Sequence, residues 1–199
     1  HDLPGSASSF TWASDGRRYA VAVAPTPLID DSYTSRDIHV VDAADGKVPS
    51  KMGSVGKLGS FAFSPDGERI AYIGSVNIND PAEGRLYVVP SSGGERRELV
   101  PEYLGHVGNF IWSDDDSVRW LGSRGVYSEW ATASLYETQS PATAPKPGPI
   151  IRSVHGNPGQ DVVAAIADTP EHPAELYLLR NGAEPVRLTN SNPFLGERE

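Results

Sequence analysis

The stretch FAFSPDG at residues 61–67 decides the reading of this chain, because it recurs: residues 10–16 read FTWASDG and residues 110–116 read FIWSDDD. Each copy sets two bulky apolar side chains two apart (Phe10 and Trp12, Phe61 and Phe63, Phe110 and Trp112), ahead of a small polar residue and an acidic turn. That spacing puts both side chains on one face of a β-strand, and the turn sends the chain back into another apolar segment. A strand-and-turn unit that returns at a fixed interval marks a repeat protein.

Phe10 to Phe61 is 51 residues and Phe61 to Phe110 is 49. A second phrase tracks the first: Asp37-Ile-His-Val-Val, Arg85-Leu-Tyr-Val-Val, Ser134-Leu-Tyr-Glu-Thr and Glu175-Leu-Tyr-Leu-Leu. Phe61 to Tyr87 and Phe110 to Tyr136 are both 26 residues, and counting back 26 from Tyr177 reaches Ile151, where a fourth, worn repeat is expected to begin. In the first repeat Phe10 and His39 stand 29 apart, which implies about three extra residues in the loop 24–36. Repeats of roughly 40–50 residues with about four short strands each fit propeller blades. The expected fold is all-β: four four-stranded antiparallel repeats forming a partial β-propeller. The chain reads as one domain over 1–199, with blades at about 1–55, 56–104, 105–148 and 149–192 and a tail at 193–199.

In the second repeat the strands are expected at 59–64, 68–74, 85–90 and 95–100. Ser64-Pro-Asp-Gly67 makes the first hairpin, with Pro65 early in the turn and Gly67 supplying positive φ; Asp15, Gly16 and Asp66 take turn roles of the same kind. Ser91-Ser-Gly-Gly94, Ala43-Ala-Asp-Gly46 and Asn181-Gly182 mark the later hairpins. Strand interiors alternate or run apolar, as in Tyr19-Ala-Val-Ala-Val23, Arg69-Ile-Ala-Tyr-Ile73 and Val162-Val-Ala-Ala-Ile166. No amphipathic helix of ten residues is expected.

Composition sets limits. With 38% hydrophobic residues, the 199-residue chain can bury a sizeable core. Its formal net charge is -9, and Lys/Arg pairs occur only at Arg17-Arg18 and Arg96-Arg97, so neither nucleic acid nor an anionic membrane is an expected partner. The absence of Cys excludes disulfides and a cysteine nucleophile and leaves the compartment open, with a cytoplasmic setting preferred over a periplasmic or secreted one. No apolar run approaches the roughly 18 residues of a membrane span. Beginning at His1, the chain reads as a processed product or an excised piece.

Residues 138–149, TQSPATAPKPGP, hold four prolines and cannot pair in a central strand, so an extended linker is expected to replace the outermost strand of the third blade. The second-to-third strand connections read as long loops in three blades: 24–36, 75–84 and 122–133. They share one face of a propeller, and long loops on a rigid scaffold are where binding resides. The substrate-facing candidates are Asp30, Asp31, Asp80 and Glu83, with Glu129 and Trp130 from the third connection and His172 from the loop before the last Leu-Tyr phrase. Solvated decoration and loop packing are the plain alternatives.

Catalytic patterns are scarce. Gly53-Ser-Val-Gly56 and Gly122-Ser-Arg-Gly125 lack the spacing of a nucleophile elbow. The histidines at 1, 39, 106, 155 and 172 follow no metal-ligand spacing, and His39 fills a slot that holds Tyr elsewhere. Asp15, Asp66 and Asp115 read as turn caps rather than catalytic carboxylates. No catalytic residue, metal or cofactor is expected within this chain.

Phe61-Ala-Phe-Ser-Pro-Asp-Gly67 with the following Ile70-Ala-Tyr72 resembles the blade motif shared by TolB-like propellers and the propellers of the prolyl oligopeptidase family. The ending, Pro173-Ala-Glu-Leu-Tyr177 and then Leu188-Thr-Asn-Ser-Asn192, is similar to the last blade of acylaminoacyl-peptidase-like members, where it precedes an α/β-hydrolase domain. The resemblance implies that the catalytic triad lies beyond Glu199, in a hydrolase domain this chain lacks, and that the propeller gates or selects peptide substrates. Dipeptidyl-peptidase relatives hold the substrate amino terminus with a propeller Glu pair; no Glu-Glu pair occurs here, so that role does not carry over. Family propellers have seven or eight blades; four are expected either to leave open blade edges that invite self-association or to close into a compact four-bladed ring. A TolB-like envelope module that binds protein partners, and a lactonase- or glycosidase-like propeller enzyme, are the other functions weighed.

Overall fold

The computed structural model describes residues 3–79, 81–137, 148–180 and 183–197. The chain is nearly all-β and divides into two compact units, His1–Pro101 and Glu102–Glu199.

Unit 1 holds two four-stranded antiparallel meanders. The first is β1 (Ser6–Trp12), β2 (Arg18–Ala24), β3 (Asp37–Asp42) and β4 (Ser50–Gly53). The second is β5 (Leu58–Phe63), β6 (Arg69–Ser75), β7 (Gly84–Pro90) and β8 (Arg97–Glu98). The inner strands match the sequence expectation within a residue or two. The outermost strand is shorter than expected because only Arg97 and Glu98 pair in the ladder. A one-and-a-half-turn helix, α1 (Ile29–Thr34), sits in the 24–36 connection.

The turns explain the acidic residues. Ser64 N–H donates to Arg69 O (2.9 Å), Gly67 N–H donates to Ser64 O (2.9 Å), and Gly67 has φ 75°. Asp66 Oδ1 accepts from Glu68 N–H at 2.9 Å and from the Ser64 hydroxyl at 2.5 Å. Asp15 does the same for Arg17 N–H at 2.8 Å, beside Gly16 at φ 66°. Each carboxylate satisfies a backbone donor that the turn would otherwise leave to water. Asn181-Gly182 lies outside the described residues.

The core of unit 1 lies between its two sheets. Ala13, Ala20, Ala22, Ile38, Val40 and Met52 pack against Leu58, Phe61, Phe63, Ile70, Tyr72, Tyr87 and Val89. Small residues on one face receive aromatic ones from the other, so the layers interdigitate at close-packed density. Two arginines tie the sheets at opposite ends. Arg18 donates to Gly67 O (2.9 Å) and Ser91 Oγ (3.0 Å), and Arg36 donates to Leu58 O and Ser8 Oγ.

Unit 2 holds a three-stranded sheet of β9 (His106–Trp112), β10 (Ser117–Arg124) and β11 (Tyr127–Ser134), and a four-stranded sheet of β12 (Ile150–His155), β13 (Val162–Thr169), β14 (His172–Arg180) and β15 (Val186–Arg187). A 3₁₀ turn at Pro193–Glu197 follows. The third repeat therefore has three strands among the described residues. Of the proline-rich segment 138–149 that follows it, residues 138–147 lie outside them.

Four expectations need correction here. First, 122–133 is not a loop: β10 and β11 pair from Ser117 with Ser134 to Arg124 with Tyr127, closed by the two-residue turn Gly125-Val126 with Gly125 at φ 62°. Glycine with positive φ at the first central position is the chemistry of a type II′ hairpin. Second, the shorter turn brings the third strand in early, so Ala131, not Tyr136, stands opposite Trp120 where Tyr87 stands opposite Tyr72. Tyr136 lies past the strand and is 70% exposed. Third, Val154, not Ile151, faces Ala165 beside Tyr177, so Val154 takes the place of Phe61 and Gly156 that of Phe63. A Cβ on Gly156 would come within 2.7 Å of Val163, so the position accepts no side chain. Fourth, the FIWSDDD turn is one residue tighter: Ser113 N–H donates to Ser117 O, and Asp114 rather than Asp115 accepts from Asp116 N–H at 2.8 Å.

The core of unit 2 reverses the size pattern of unit 1. Ile111, Leu121 and Trp130 of the third sheet are the bulky side, received by Ile151, Val154, Val163, Ala165, Ala167, Tyr177 and Leu179 of the fourth. Arg119 joins the sheets by donating to Gln160 O at 2.6 Å.

Candidate functional site

In each unit the connections from second to third strand gather at the sheet end where the first strands begin. Each unit is described by itself.

At this end of unit 1, Asp30 and Asp31 lie in the first turn of α1 and Glu83 precedes β7. Asp31 is engaged with the Thr26 hydroxyl and Glu83 pairs with Arg85 at 3.1 Å, while the Asp30 carbonyl accepts from Thr34 Oγ1 at 3.0 Å. Asp80 lies outside the described residues. The exposed side chains among these loops are largely apolar: Leu28, Ile29, Tyr33, Val76 and Ile78. Local pairing thus engages the carboxylates of Asp31 and Glu83.

The same end of unit 2 is concave. A cavity of about 490 Å³ is bordered by His106, Ser123, Tyr127, Ser128, Ile151 and Arg152. A second, of about 430 Å³, is bordered by Arg152, Asp168, Glu171, His172 and Leu195. Arg152 belongs to both. Its guanidinium meets Asp168 in a two-point contact, Nε to Oδ2 at 2.8 Å and Nη2 to Oδ1 at 3.3 Å, which raises the Arg152 pKa further. Ser128 Oγ accepts from Ile151 N–H at 2.8 Å and anchors β12 to β11.

His172 is the first residue of β14 rather than a loop residue. Its Nδ1 lies 2.8 Å from Pro173 O, which can only accept, so Nδ1 carries the proton; Nε2 then accepts from Tyr177 OH at 2.9 Å. The ring stacks on Tyr177 with centroids 6.1 Å apart. Glu171 is held below the usual carboxylate range by its hydrogen bond with Thr169.

Glu129 and Trp130 lie on β11. Glu129 is 8% exposed and its Oε1 stands 3.0 Å from Arg124 Nε, while Trp130 packs into the core of unit 2. Neither faces solvent as a loop residue would. Beside them Tyr103 lies close against Gly122 and Gly105, and burial, reinforced by the Glu129 charge, pushes its phenol up to about 12.

A third cluster gives the closing motifs a chemical meaning. Glu175 is 2% exposed and accepts from Ser191 N–H (2.6 Å), Ser191 Oγ (3.1 Å) and the Thr189 hydroxyl. Thr189 Oγ1 in turn accepts from Leu176 N–H at 2.9 Å. These bonds hold the Glu175 carboxyl below its ordinary pKa and latch the segment after β15 to β14. The Pro-x-Glu-Leu-Tyr and Leu-Thr-x-x-Asn phrases are the two halves of this latch.

Sequence reasoning named His172 and the latch phrases but missed Arg152, Tyr127 and His106 as cavity residues. The proline-rich stretch and the supposed 122–133 loop hid the hairpin that brings them together. Among the described residues no three His, Asp or Glu side chains converge as metal ligands would, and no helix is long and apolar enough to cross a membrane.

No family model matches the chain, and no curated protein is similar enough in sequence to match it. Solved structures do match in shape. A putative TolB from Agrobacterium tumefaciens superposes with a TM-score of 0.65 at 17% identity, over 95% of this chain and 64% of that one. The β-propeller domain of the trilobed protease from Pyrococcus furiosus gives 0.61 at 21% identity, over 92% and 52%. The acylaminoacyl peptidase of Pyrococcus horikoshii gives 0.60 at 19% identity, over 95% and 28%. The chain thus spans from about a quarter to two thirds of the length of these structures. Four antiparallel blade sheets, three of them with the motif aromatics on their first strands, give this chain the β-propeller fold found in TolB and in the propeller domains of prolyl oligopeptidase-family peptidases.

Proposed function

We propose that this chain is a non-catalytic propeller segment of a prolyl oligopeptidase-family serine peptidase, and that it selects peptide substrates for a hydrolase domain outside the chain. One arrangement carries the reading: two adjoining cavities share Arg152 at the loop end of unit 2. Around them stand a guanidinium, hydroxyls, two imidazoles, two carboxylates and the Tyr127 ring, groups suited to the amides and side chains of a short extended peptide. The Glu175 latch, built from the phrases that resemble the end of an acylaminoacyl-peptidase propeller, supports the same assignment.

The test is direct binding of fluorescein-labelled peptides, free and amino-terminally acylated, to the purified chain by anisotropy. Expected are dissociation constants in roughly the micromolar to millimolar range and about tenfold weaker binding by Arg152→Ala. Hydrolysis of the peptides by the chain alone, or binding unchanged by Arg152→Ala and Tyr127→Ala, overturns the proposal. The parent reading frame supplies the second test, since a Gly-x-Ser-x-Gly elbow is expected within a few hundred residues downstream.

The shape match to a TolB-like protein over 64% of its length favours a second reading, an envelope module that binds protein partners. It predicts an export signal upstream and no hydrolase downstream.

A further inference from the structure

The two units share one hairpin register, so each slot in one has a counterpart in the other. In unit 1 Phe10 pairs with Val21 and Val21 with His39; in unit 2 Phe110 pairs with Trp120 and Trp120 with Ala131. Three residues further along the same strands, Ala24 and Arg36 in unit 1 correspond to Ser123 and Ser128 in unit 2. The extra residue in the first-strand bulge is Ser8 in one and Gly108 in the other. On the neighbouring sheet Leu58, opposite Gly74, corresponds to Ile151, opposite Ala167.

The same pair of slots touches in both units, with different chemistry. In unit 1 the Arg36 guanidinium spans the junction of the two sheets and donates to Leu58 O and, at 3.4 Å, to Ser8 Oγ. In unit 2 Ser128 Oγ accepts from the Ile151 N–H at 2.8 Å. Serine is too short to fill what an arginine fills, and Gly108 brings no side chain. A Cβ on Gly108 would meet nothing closer than the His106 ring at 3.6 Å. The cavity of about 490 Å³ stands at this place, bordered by Gly108, Ser123, Ser128, Ile151 and Arg152. Arg152 does not take the part of Arg36: its guanidinium is held by Asp168 in the two-point contact, which also offsets its charge.

We propose that this cavity binds the guanidinium of an arginine side chain presented by a peptide, in the slot that Arg36 fills in unit 1. The Ile151 carbonyl is the counterpart of Leu58 O, and Ser123, where unit 1 has Ala24, brings back the hydroxyl lost with Ser8. Tyr127 at the rim supplies a ring on which a guanidinium stacks. Arg152, which can only donate, is left to the carbonyls of the same peptide. Burial lowers the Arg36 pKa, so the slot carries a desolvation cost. A guanidinium is more weakly hydrated than an ammonium and loses less there, which sets arginine above lysine. The net charge of -9 favours the approach of a cation. The inference rests on the peptide reading for the source of the guanidinium, while the slot itself answers to a guanidinium alone.

Calorimetric titration of the whole chain with end-blocked peptides Ac-Ala-X-Ala-Ala-amide, and with butylguanidinium alone, tests it. The arginine peptide is expected to bind about tenfold more tightly than the citrulline peptide, which keeps the shape without the charge, with lysine between the two. Butylguanidinium is expected to bind in roughly the millimolar range and butylammonium more weakly. Ser128→Arg, which installs the residue that unit 1 carries, is expected to weaken the arginine peptide and butylguanidinium alike by about tenfold or more. Ser123→Ala, at an exposed position, is expected to weaken both several-fold, and Glu171→Gln, at the second cavity, to leave both unchanged. Circular dichroism checks that each variant folds. Equal binding of the arginine and citrulline peptides overturns the inference and leaves the peptide reading standing. Butylguanidinium binding that is lost in Ser128→Arg, with none of the peptides bound, supports the slot and overturns the peptide reading. Guanidinium binding that survives both Ser128→Arg and Ser123→Ala overturns the slot.

Discussion

Single side chains in this protein act mainly on backbone donors, and the most demanding of them is Glu175. Its carboxylate serves Ser191 and Thr189 at once, and those hydrogen bonds depress its pKa from the ordinary value of 4.5. A depressed carboxyl contributes stability that is full above its unfolded pKa and is lost as pH falls through the folded one. Glu175→Gln is therefore expected to lower the melting temperature by several degrees at pH 7 and to flatten its decline below about pH 4.5, read from melts across a pH series. His39 works in a higher window. Burial first, and then the Lys51 charge, lower its pKa from 6.5, so the folded chain favours the neutral ring. Its contribution is full above about pH 6.5 and falls below it, and His39→Tyr, which installs the residue found at Tyr87 and Tyr177, is expected to remove that slope. The turn caps are simpler. Asp114→Ala is expected to cost about 1–2 kcal/mol by denaturant unfolding, as the hydrogen bonds from Asp116 N–H and from the Ser117 hydroxyl are both lost.

At the scale of the element, turn length governs what the sequence alone can reveal. The FAFSPDG hairpin was legible because Pro65, Asp66 and Gly67 each have a specific turn role, and β5 and β6 formed where the period-2 pattern placed them. The β10–β11 hairpin was not, because Gly122, Ser123, Arg124 and Gly125 read as loop composition until the pairing of Arg124 with Tyr127 is known. Its glycines differ in kind. A Cβ on Gly125 meets nothing within 4 Å, so Gly125→Ala is expected to cost only the strain of positive φ, about 1–2 kcal/mol, with Asn tolerated better. A Cβ on Gly122 would come within 2.5 Å of the Tyr103 hydroxyl, so Gly122→Ala is expected to cost more and to displace Tyr103, visible in near-ultraviolet dichroism. Glu129 and Trp130 were misread for the same reason: once the turn is two residues long, they belong to a strand.

For the molecule as a whole, the four tryptophans report the state of the sheet faces. Trp112 and Trp120 are buried, Trp130 is half-buried and Trp12 is more than half exposed. Acrylamide is expected to quench mainly Trp12 in dilute chain, and Trp12→Phe is expected to remove most of the quenchable emission. Repeat order, strand polarity and all-β class follow from sequence alone, because side-chain alternation and turn chemistry are local and each repeat restates them. The tertiary structure decided which residues share a slot, since register depends on loop lengths that spacing arguments mistake by three or five residues, as at Val154 and Ala131. It also decided that Arg152 joins two cavities and that Glu175 closes a latch. Those outcomes depend on which partner each face meets, and no single strand encodes its partner.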